Sequence, residues 1–250
     1  MRIAVAGGTG TAGRYAVEAG EAAGHQTVVL SRATGVDVRS GHGLRAALEG
    51  VDAVVDATDA GTTNRARATA FFEEVGARLQ DAGADAGVGR IVVLSIVGVD
   101  RVPGFGYYEA KLAHEAAARR GPVPVTIVRS TQFLEFAGQV LDRMRIGPIA
   151  PVPSMRIQPV AARSVGRRLI EVATGASPTG SSDLAGPEVV ELVEMARRTV
   201  RGRGTRTAVV AVRIPGAAGS ALRSGALLAG PDAVIAGPGP DEWLGSDDFR

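Results

Sequence analysis

Short, wholly apolar runs alternate with longer helical stretches through the first half of the chain, and nothing else in the sequence constrains the fold as tightly. Residues 3–6, 27–30, 35–38, 53–57, 91–94 and 125–128 read as strands. Helical patterns fill 12–23, 44–48, 64–82 and 107–119, the third carrying Ala68, Phe71, Phe72, Val75 and Leu79 on one side. Strands that are apolar throughout are buried on both faces, and helices between them supply the cover. The expectation is an α/β fold with a doubly wound parallel sheet over residues 1–146. Past that point Pro148, Pro151, Pro153 and Pro159 interrupt the pattern. Residues 147–250 are expected to form a small C-terminal substrate-binding region packed on the first domain. It should hold helices near 161–174 and 187–200, a Ser/Gly/Pro-rich stretch from Gly175 to Ser182, a strand at 207–212 and a loop over 230–240.

Composition narrows the function. The 250 residues include 28 basic and 26 acidic side chains, a net charge of +2. A dedicated nucleic-acid binder carries a strong basic excess, so no nucleic-acid partner is expected. There is no cysteine and there are three histidines, which exclude disulfides, thiolate metal sites and cysteine nucleophiles, and no metal is expected. No apolar run reaches the roughly 18 residues of a membrane span. The first residues are interrupted by glycines and Arg14 too early for a secretory signal, and the expected location is cytoplasmic. Hydrophobic residues make up 45%, ample for a core. The spacing of helical residues leaves the oligomeric state, monomer or dimer, open.

Gly7, Gly10 and Gly13 stand at the first strand-to-helix junction, in the run Gly7-Gly8-Thr9-Gly10-Thr11-Ala12-Gly13. A glycine there allows the tight turn, a second lets backbone approach a pyrophosphate, and a third lets helix pack on strand. The helix N-terminus then offers free N–H groups and a positive dipole end to the phosphates. A dinucleotide cofactor is therefore expected on Gly7, Thr9, Gly10, Thr11, Ala12 and Gly13. An NAD-preferring domain places an acid at the end of the second strand. Here that strand ends in Ser31 and Arg32, which suit a 2′-phosphate, with Arg14 to assist, so NADP(H) is the expected cofactor. Asp37, followed by Val38, either accepts from the adenine amino group or is a turn residue. Ala57 and Thr58 should line the cofactor cleft.

Ser95 ends the fifth run, and Tyr107 and Lys111 follow at positions i and i+4 of a helix, on one face. A phenol is a poor acid near neutrality, with a reference pKa near 10, and a nearby ammonium lowers it. Tyr107 could then exchange a proton with a substrate oxygen, Ser95 could orient that oxygen, and Lys111 could also hold ribose hydroxyls. Of the 28 basic residues, 27 are arginine, and Lys111 is the sole lysine; a guanidinium does not replace a compact ammonium. Tyr108 points about 100° away around the helix and is expected to pack or to line the substrate pocket.

With these motifs in place the chain resembles the short-chain dehydrogenase/reductase superfamily, most of all its atypical, NmrA-like NAD(P)H-binding branch. The likeness rests on Ala6 to Gly13, Val93-Leu94-Ser95, Tyr107-Tyr108-Glu109-Ala110-Lys111 and Arg129-Ser130-Thr131-Gln132-Phe133. It implies a Rossmann domain followed by a variable substrate region. It also implies an NADPH-dependent oxidoreductase, with Ser95, Tyr107 and Lys111 catalytic, acting on a small carbonyl or quinone-like compound. The same branch holds NADP(H)-sensing regulators without turnover, which often lack the Tyr/Lys pair, and a redox-neutral isomerase is a further alternative. Asn64 lies near the position of a catalytic asparagine in other members, without a safe alignment. Phe133 and Phe136 are expected either in a substrate wall or in the core. Met155, Ile157 and Gln158 are placed over the site, His114 on the surface, and the arginines from 197 to 213 on a solvated face or substrate rim.

Overall fold

The computed structural model describes residues 1–176 and 183–249. In chain order the elements are β1 (Arg2–Ala6), α1 (Gly13–Ala22), β2 (Gln26–Leu30), α2 (Leu44–Ala47), β3 (Ala53–Asp56), α3 (Arg65–Ala86), β4 (Arg90–Ile96), α4 (Gly106–Ala118) and β5 (Val125–Ser130). There follow α5 (Phe136–Met144), β6 (Ile149–Pro153), β7 (Arg156–Ile157), α6 (Ala162–Thr174), β8 (Leu184–Ala185), β9 (Val190–Glu191), α7 (Leu192–Gly202), β10 (Ala208–Val212), α8 (Gly216–Ser224), β11 (Val234–Ile235) and α9 (Pro240–Leu244). The main sheet has seven strands in the order β11-β8-β5-β4-β3-β1-β2. β1 sits between β2 and β3, both parallel to it, and β3 runs parallel to β4. The expected doubly wound parallel sheet is present.

Two compact units interleave along the chain. The first comprises 1–95, 105–129 and 163–182; the second comprises 96–104, 130–162 and 183–250. The units are therefore discontinuous, and α6 clusters with the first although it lies past residue 147. Its Gly166 explains this, since a Cβ there would come within 2.4 Å of the Tyr15 carbonyl carbon in α1. Arg163 also pairs with Glu18 at 2.9 Å. The stretch from Gly175 to Ser182 lies, from residue 177, outside the described residues.

In the first unit the apolar runs form the core as their composition dictates. Ile3, Ala4, Val5, Val54, Val55, Val92 and Val93 are fully buried. α3 starts where the Asn64 side chain accepts from the Arg67 N–H at 3.1 Å and stops at Gly87, whose φ is +73°. Ala68, Phe72, Val75 and Leu79 are buried on it and Phe71 half-buried. Gly76 brings α3 against α4, since a Cβ there would stand 3.0 Å from the Ala117 methyl. Gln80 fixes the turn after α4: its amide donates to Ala118 O and to Val123 O, and its oxygen accepts from Val123 N–H.

Residues 35–38 are not a strand. Positive-φ glycines at 35, 41 and 43 turn the chain on either side, leaving one bridge between Asp37 and His42. Val36 and Val38 are nonetheless buried. In the second unit the proline-rich stretch contains β6, paired in parallel with β10. Pro148 O accepts from Ala208 N–H and Ser154 N–H donates to Val212 O. In a parallel ladder this register turns the backbone of Ala150 and Val152 toward β10 and that of Pro151 and Pro153 outward, where no N–H is required. α5 and α7 pack on β6, β7 pairs antiparallel with β9, and the 230–240 segment contains β11.

Candidate active site

The glycine turn has the geometry that its spacing implies. Gly7 adopts φ +73°, and a Cβ on it would lie 2.7 Å from Ala57 O. A Cβ on Gly13 would lie 2.1 Å from Gly7 O, so only glycine lets α1 start this close to β1. Gly10 is exposed; it donates to Gly7 O at 2.8 Å, and the nearest atom to a Cβ there is that same oxygen at 3.1 Å. Ala12, at the N-cap of α1, has no side chain that bonds the first turn. This cradle of small residues before a helix end that lacks a side-chain cap fits a pyrophosphate.

At the end of β2, Ser31 opens a single 3-10 turn, its N–H donating to Thr34 Oγ1 at 3.2 Å. Arg32 is exposed and has no ion-pair partner among the described residues. Arg14 lies against the Tyr15 ring and donates to its hydroxyl at 3.1 Å. The Asp37 carboxylate accepts from Arg39 N–H at 3.0 Å, a bond of the turn. Ala57 and Thr58 leave β3 directly beside the glycine turn. A cavity of about 510 Å³, which the sequence did not reveal, is lined by Arg39, Ala60, Thr62, Arg67 and Phe71 among others.

Of Ser95, Tyr107 and Lys111, Ser95 departs from the role expected of it. Ser95 is 2% exposed, and its hydroxyl donates to Glu115 Oε1 at 2.6 Å. Glu115 also holds Arg129 in a two-point pair, at 2.9 and 2.8 Å. Burial raises the Glu115 carboxyl, but the bonds from Arg129 and Ser95 outweigh it and hold it below the usual range. The Ser95 hydroxyl is thus part of an interior clasp between β4, α4 and β5. Tyr107 is half-buried and donates to Asp59 Oδ1 at 3.4 Å, a long contact. Lys111 is only 4% exposed. Its ammonium donates to Leu94 O at 2.8 Å and to His114 Nδ1 at 3.0 Å, and it lies 4.5 Å from the centre of the Phe72 ring. The edge of Tyr107 meets that same ring, 6.2 Å between centroids.

His114, expected on the surface, is fully buried and joins Lys111 to Asp56, with Nε2 2.8 Å from Asp56 Oδ2. Asp56 Oδ1 accepts from both the N–H and the hydroxyl of Thr58, at 3.0 and 2.6 Å. Burial raises the Asp56 carboxyl, but His114 and Thr58 more than offset it, bringing it down to about 2. Burial lowers the Lys111 ammonium to about 8, with Asp56, Asp59 and Glu115 opposing. Burial, and then Lys111, lowers His114, so the ring is neutral at pH 7. Asp56 carried a sequence signal: a lone acid in a β-branched buried strand requires a partner. His114 carried one as well, standing three residues from Lys111 on the same helix face. Glu115 and Arg129 carried none.

Tyr108 packs rather than reacts. It stacks on Phe105 at 4.6 Å, and burial pushes its phenol up. Asn64 serves as the N-cap of α3.

No family model matches the chain. The photosystem II assembly factor Ycf39 of a Synechocystis species is 28% identical over 220 residues, 78% of this chain and 67% of that protein. Among solved structures, the NADPH-dependent quinone oxidoreductase QOR2 of Escherichia coli is 16% identical, with a TM-score of 0.59 over 91% of this chain and 90% of that one. A Citrobacter triphenylmethane reductase, solved with NADP(H), is 17% identical, with 0.61 over 93% of each. MoeE5, solved with UDP-glucose and NAD, is 18% identical, with 0.70 over 99% and 97%. The chain resembles the atypical short-chain dehydrogenases/reductases in fold as well as in motif. At these identities the structural likeness carries the Rossmann-type architecture and no more.

The second unit corrects the expectations placed on residues 133–158. Met155 and Ile157 are buried in its core. Gln158 donates to Gly186 O at 2.9 Å and accepts from Ala229 N–H. Phe133 bridges to Val160 and, like Phe136, is half-buried. Of the late arginines, Arg197, Arg198 and Arg201 pair with Glu194, and Arg203 with Asp142. Glu194 on the same helix and Asp142, distant in sequence, thus pair with four arginines of a run that looks basic. Among the described residues no helix is long and apolar enough to cross a membrane.

Proposed function

We propose that this chain is an NADP(H)-dependent oxidoreductase that reduces a small carbonyl or quinone-like compound. The observation that carries the reading is the glycine cradle at α1, with an arginine that has no ion-pair partner among the described residues, rather than an acid, at the end of β2. The backbone from Thr9 to Gly13 would hold the pyrophosphate, Ser31 and Arg32 the 2′-phosphate, and Ala57 and Thr58 the wall of the cleft. Bound there, the dinucleotide supplies the hydride. Tyr107, half-buried at the start of α4, would give a proton to the reduced oxygen. Lys111, behind the Phe72 ring, places positive charge near it. The quinone and triphenylmethane reductases among the structural neighbours support this substrate class by analogy, and MoeE5 with NAD leaves the choice of nucleotide to Arg32.

A second reading has its own observation. Ser95 is bonded to Glu115 and Lys111 is enclosed, and a cofactor-sensing protein needs neither as a catalyst. The two readings separate on turnover. Under the first, NADPH is oxidised in the presence of a quinone or carbonyl panel. Tyr107→Phe should lower kcat about 10²-fold or more, the range of a lost general acid, while NADPH affinity stays unchanged. NADPH binding with no turnover on any acceptor would favour the sensor, and full activity in Tyr107→Phe would remove Tyr107 from the chemistry.

A further inference from the structure

We propose that Asp56 and His114 are positioning residues that hold the Lys111 ammonium and couple its charge to the cofactor side of the sheet through Thr58. The inference deepens the functional reading above and rests on it where the cofactor enters.

Donor and acceptor inventory alone gives the chain of bonds a direction. An ammonium only donates, so His114 Nδ1, 3.0 Å from it, must accept. The ring proton of the neutral imidazole is then on Nε2 and is donated to Asp56 Oδ2 at 2.8 Å. The Asp56 carboxylate accepts again, on its other oxygen, from both donors of Thr58. Each step admits one assignment. The ring is also fixed from the side, stacked on Phe72 at 4.6 Å and 20°. Asp56, Lys111 and His114 are 1%, 4% and 0% exposed, so water does not substitute for any partner. Thr58 is half-buried and lies past the carboxyl end of β3, where ligands of such sheets bind.

The groups that face Lys111 come from every element around it. β3 contributes Asp56 and the loop after it Asp59; α4 contributes Glu115 and His114; β4 contributes the Leu94 carbonyl, and α3 the Phe72 face. Three carboxylates favour the ammonium and burial opposes it, with the result that its proton is held near neutrality. Asp56 is the anion tied to Lys111 through a bonded bridge. Removing its charge should make Lys111 release its proton at lower pH.

Lys111 is the sole lysine, so full-length protein grown with ¹³C-labelled lysine gives a single lysine Cε signal to titrate by NMR. In the wild type the midpoint is expected at about 8. In Asp56→Asn it should fall by about one pH unit or more, as expected for the loss of a close opposite charge. Saturating NADPH should raise the wild-type midpoint by about half a unit or more. By reciprocity NADPH affinity should then weaken as pH rises through that midpoint. A midpoint unmoved in Asp56→Asn overturns the relay. A relay that titrates as described while NADPH leaves the midpoint unchanged overturns the coupling. Should Asp56→Asn not fold, His114→Gln, which breaks the bonded bridge and keeps Asp56, is titrated in its place, and an unmoved midpoint there overturns the relay. NADPH that fails to bind at every pH removes the functional reading instead, and the titration without cofactor still decides the relay.

Discussion

Asp56→Ala is expected to cost about 3–5 kcal/mol of folding stability, the range for removing one partner of a buried charged pair. The substitution leaves the His114 Nε2–H enclosed without its acceptor and takes from the Lys111 ammonium one of the three carboxylates that favour it. It also strips the acceptor from two Thr58 donors. Stability also depends on pH with a definite sign. The Asp56 carboxyl is lowered to about 2 in the fold, so its contribution is complete above its unfolded value near 3.9 and is lost as pH falls toward 2. The Lys111 ammonium is lowered to about 8, so between pH 8 and its unfolded value near 10.4 the unfolded chain holds more protons than the folded one. Over that window the wild type should gain stability with rising pH, on the order of 3 kcal/mol for a shift of that size. The Tyr108 phenol, raised by burial, acts with the opposite sign but only above its ordinary value near 10. Urea unfolding of both proteins between about pH 3 and pH 10 measures these effects. A loss under about 1 kcal/mol in Asp56→Ala would mean that the interior dispenses with the anion, contrary to the bonding described.

Two glycines of the same turn should both lose dinucleotide affinity when substituted, but only one should lose stability. Gly13→Ala places a methyl 2.1 Å from a backbone oxygen that cannot rotate aside. α1 must then move off β1, an overpacking cost of about 3 kcal/mol, and the cradle opens with it, so fold stability and dinucleotide affinity fall together. Gly10→Ala meets no atom closer than 3.1 Å and points its methyl into exposed space. Its melting temperature should move by a few degrees at most, equivalent to under about 1 kcal/mol. NADPH affinity should drop about 10²-fold, because the added carbon occupies the space reserved for a phosphate. Calorimetry of both variants separates a packing glycine from a ligand-facing one. Wild-type affinity in Gly10→Ala would show that the phosphates lie elsewhere.

The sheet and the glycine turn were legible because each rests on local rules. Apolar runs of four or five residues between helical patterns have few alternatives to a covered parallel sheet. Three glycines at a strand-to-helix junction state their reason in the contacts of Gly7 and Gly13. What escaped is non-local. That Ser95 faces Glu115 depends on which side of β4 meets α4, and strand alternation leaves that open until the sheet is assembled. His114 reads as a surface residue until α3 supplies Phe72 above it and β3 supplies Asp56 beside it. Residues 35–38 have strand composition, but positive-φ glycines on both sides leave only a bridge. Pro151 and Pro153 sit within β6 because the register turns them away from β10, a fact about pairing that composition does not contain.

The most direct test of the account is the affinity of the purified protein for NADPH and for NADH, titrated in parallel by calorimetry with Arg32→Glu beside the wild type. The glycine cradle and Arg32 together predict binding of both with NADPH favoured about tenfold or more, equivalent to at least 1.4 kcal/mol. In Arg32→Glu that preference should be lost. Binding of neither nucleotide would contradict the central claim, and the roles given to Tyr107 and Lys111 would fall with it.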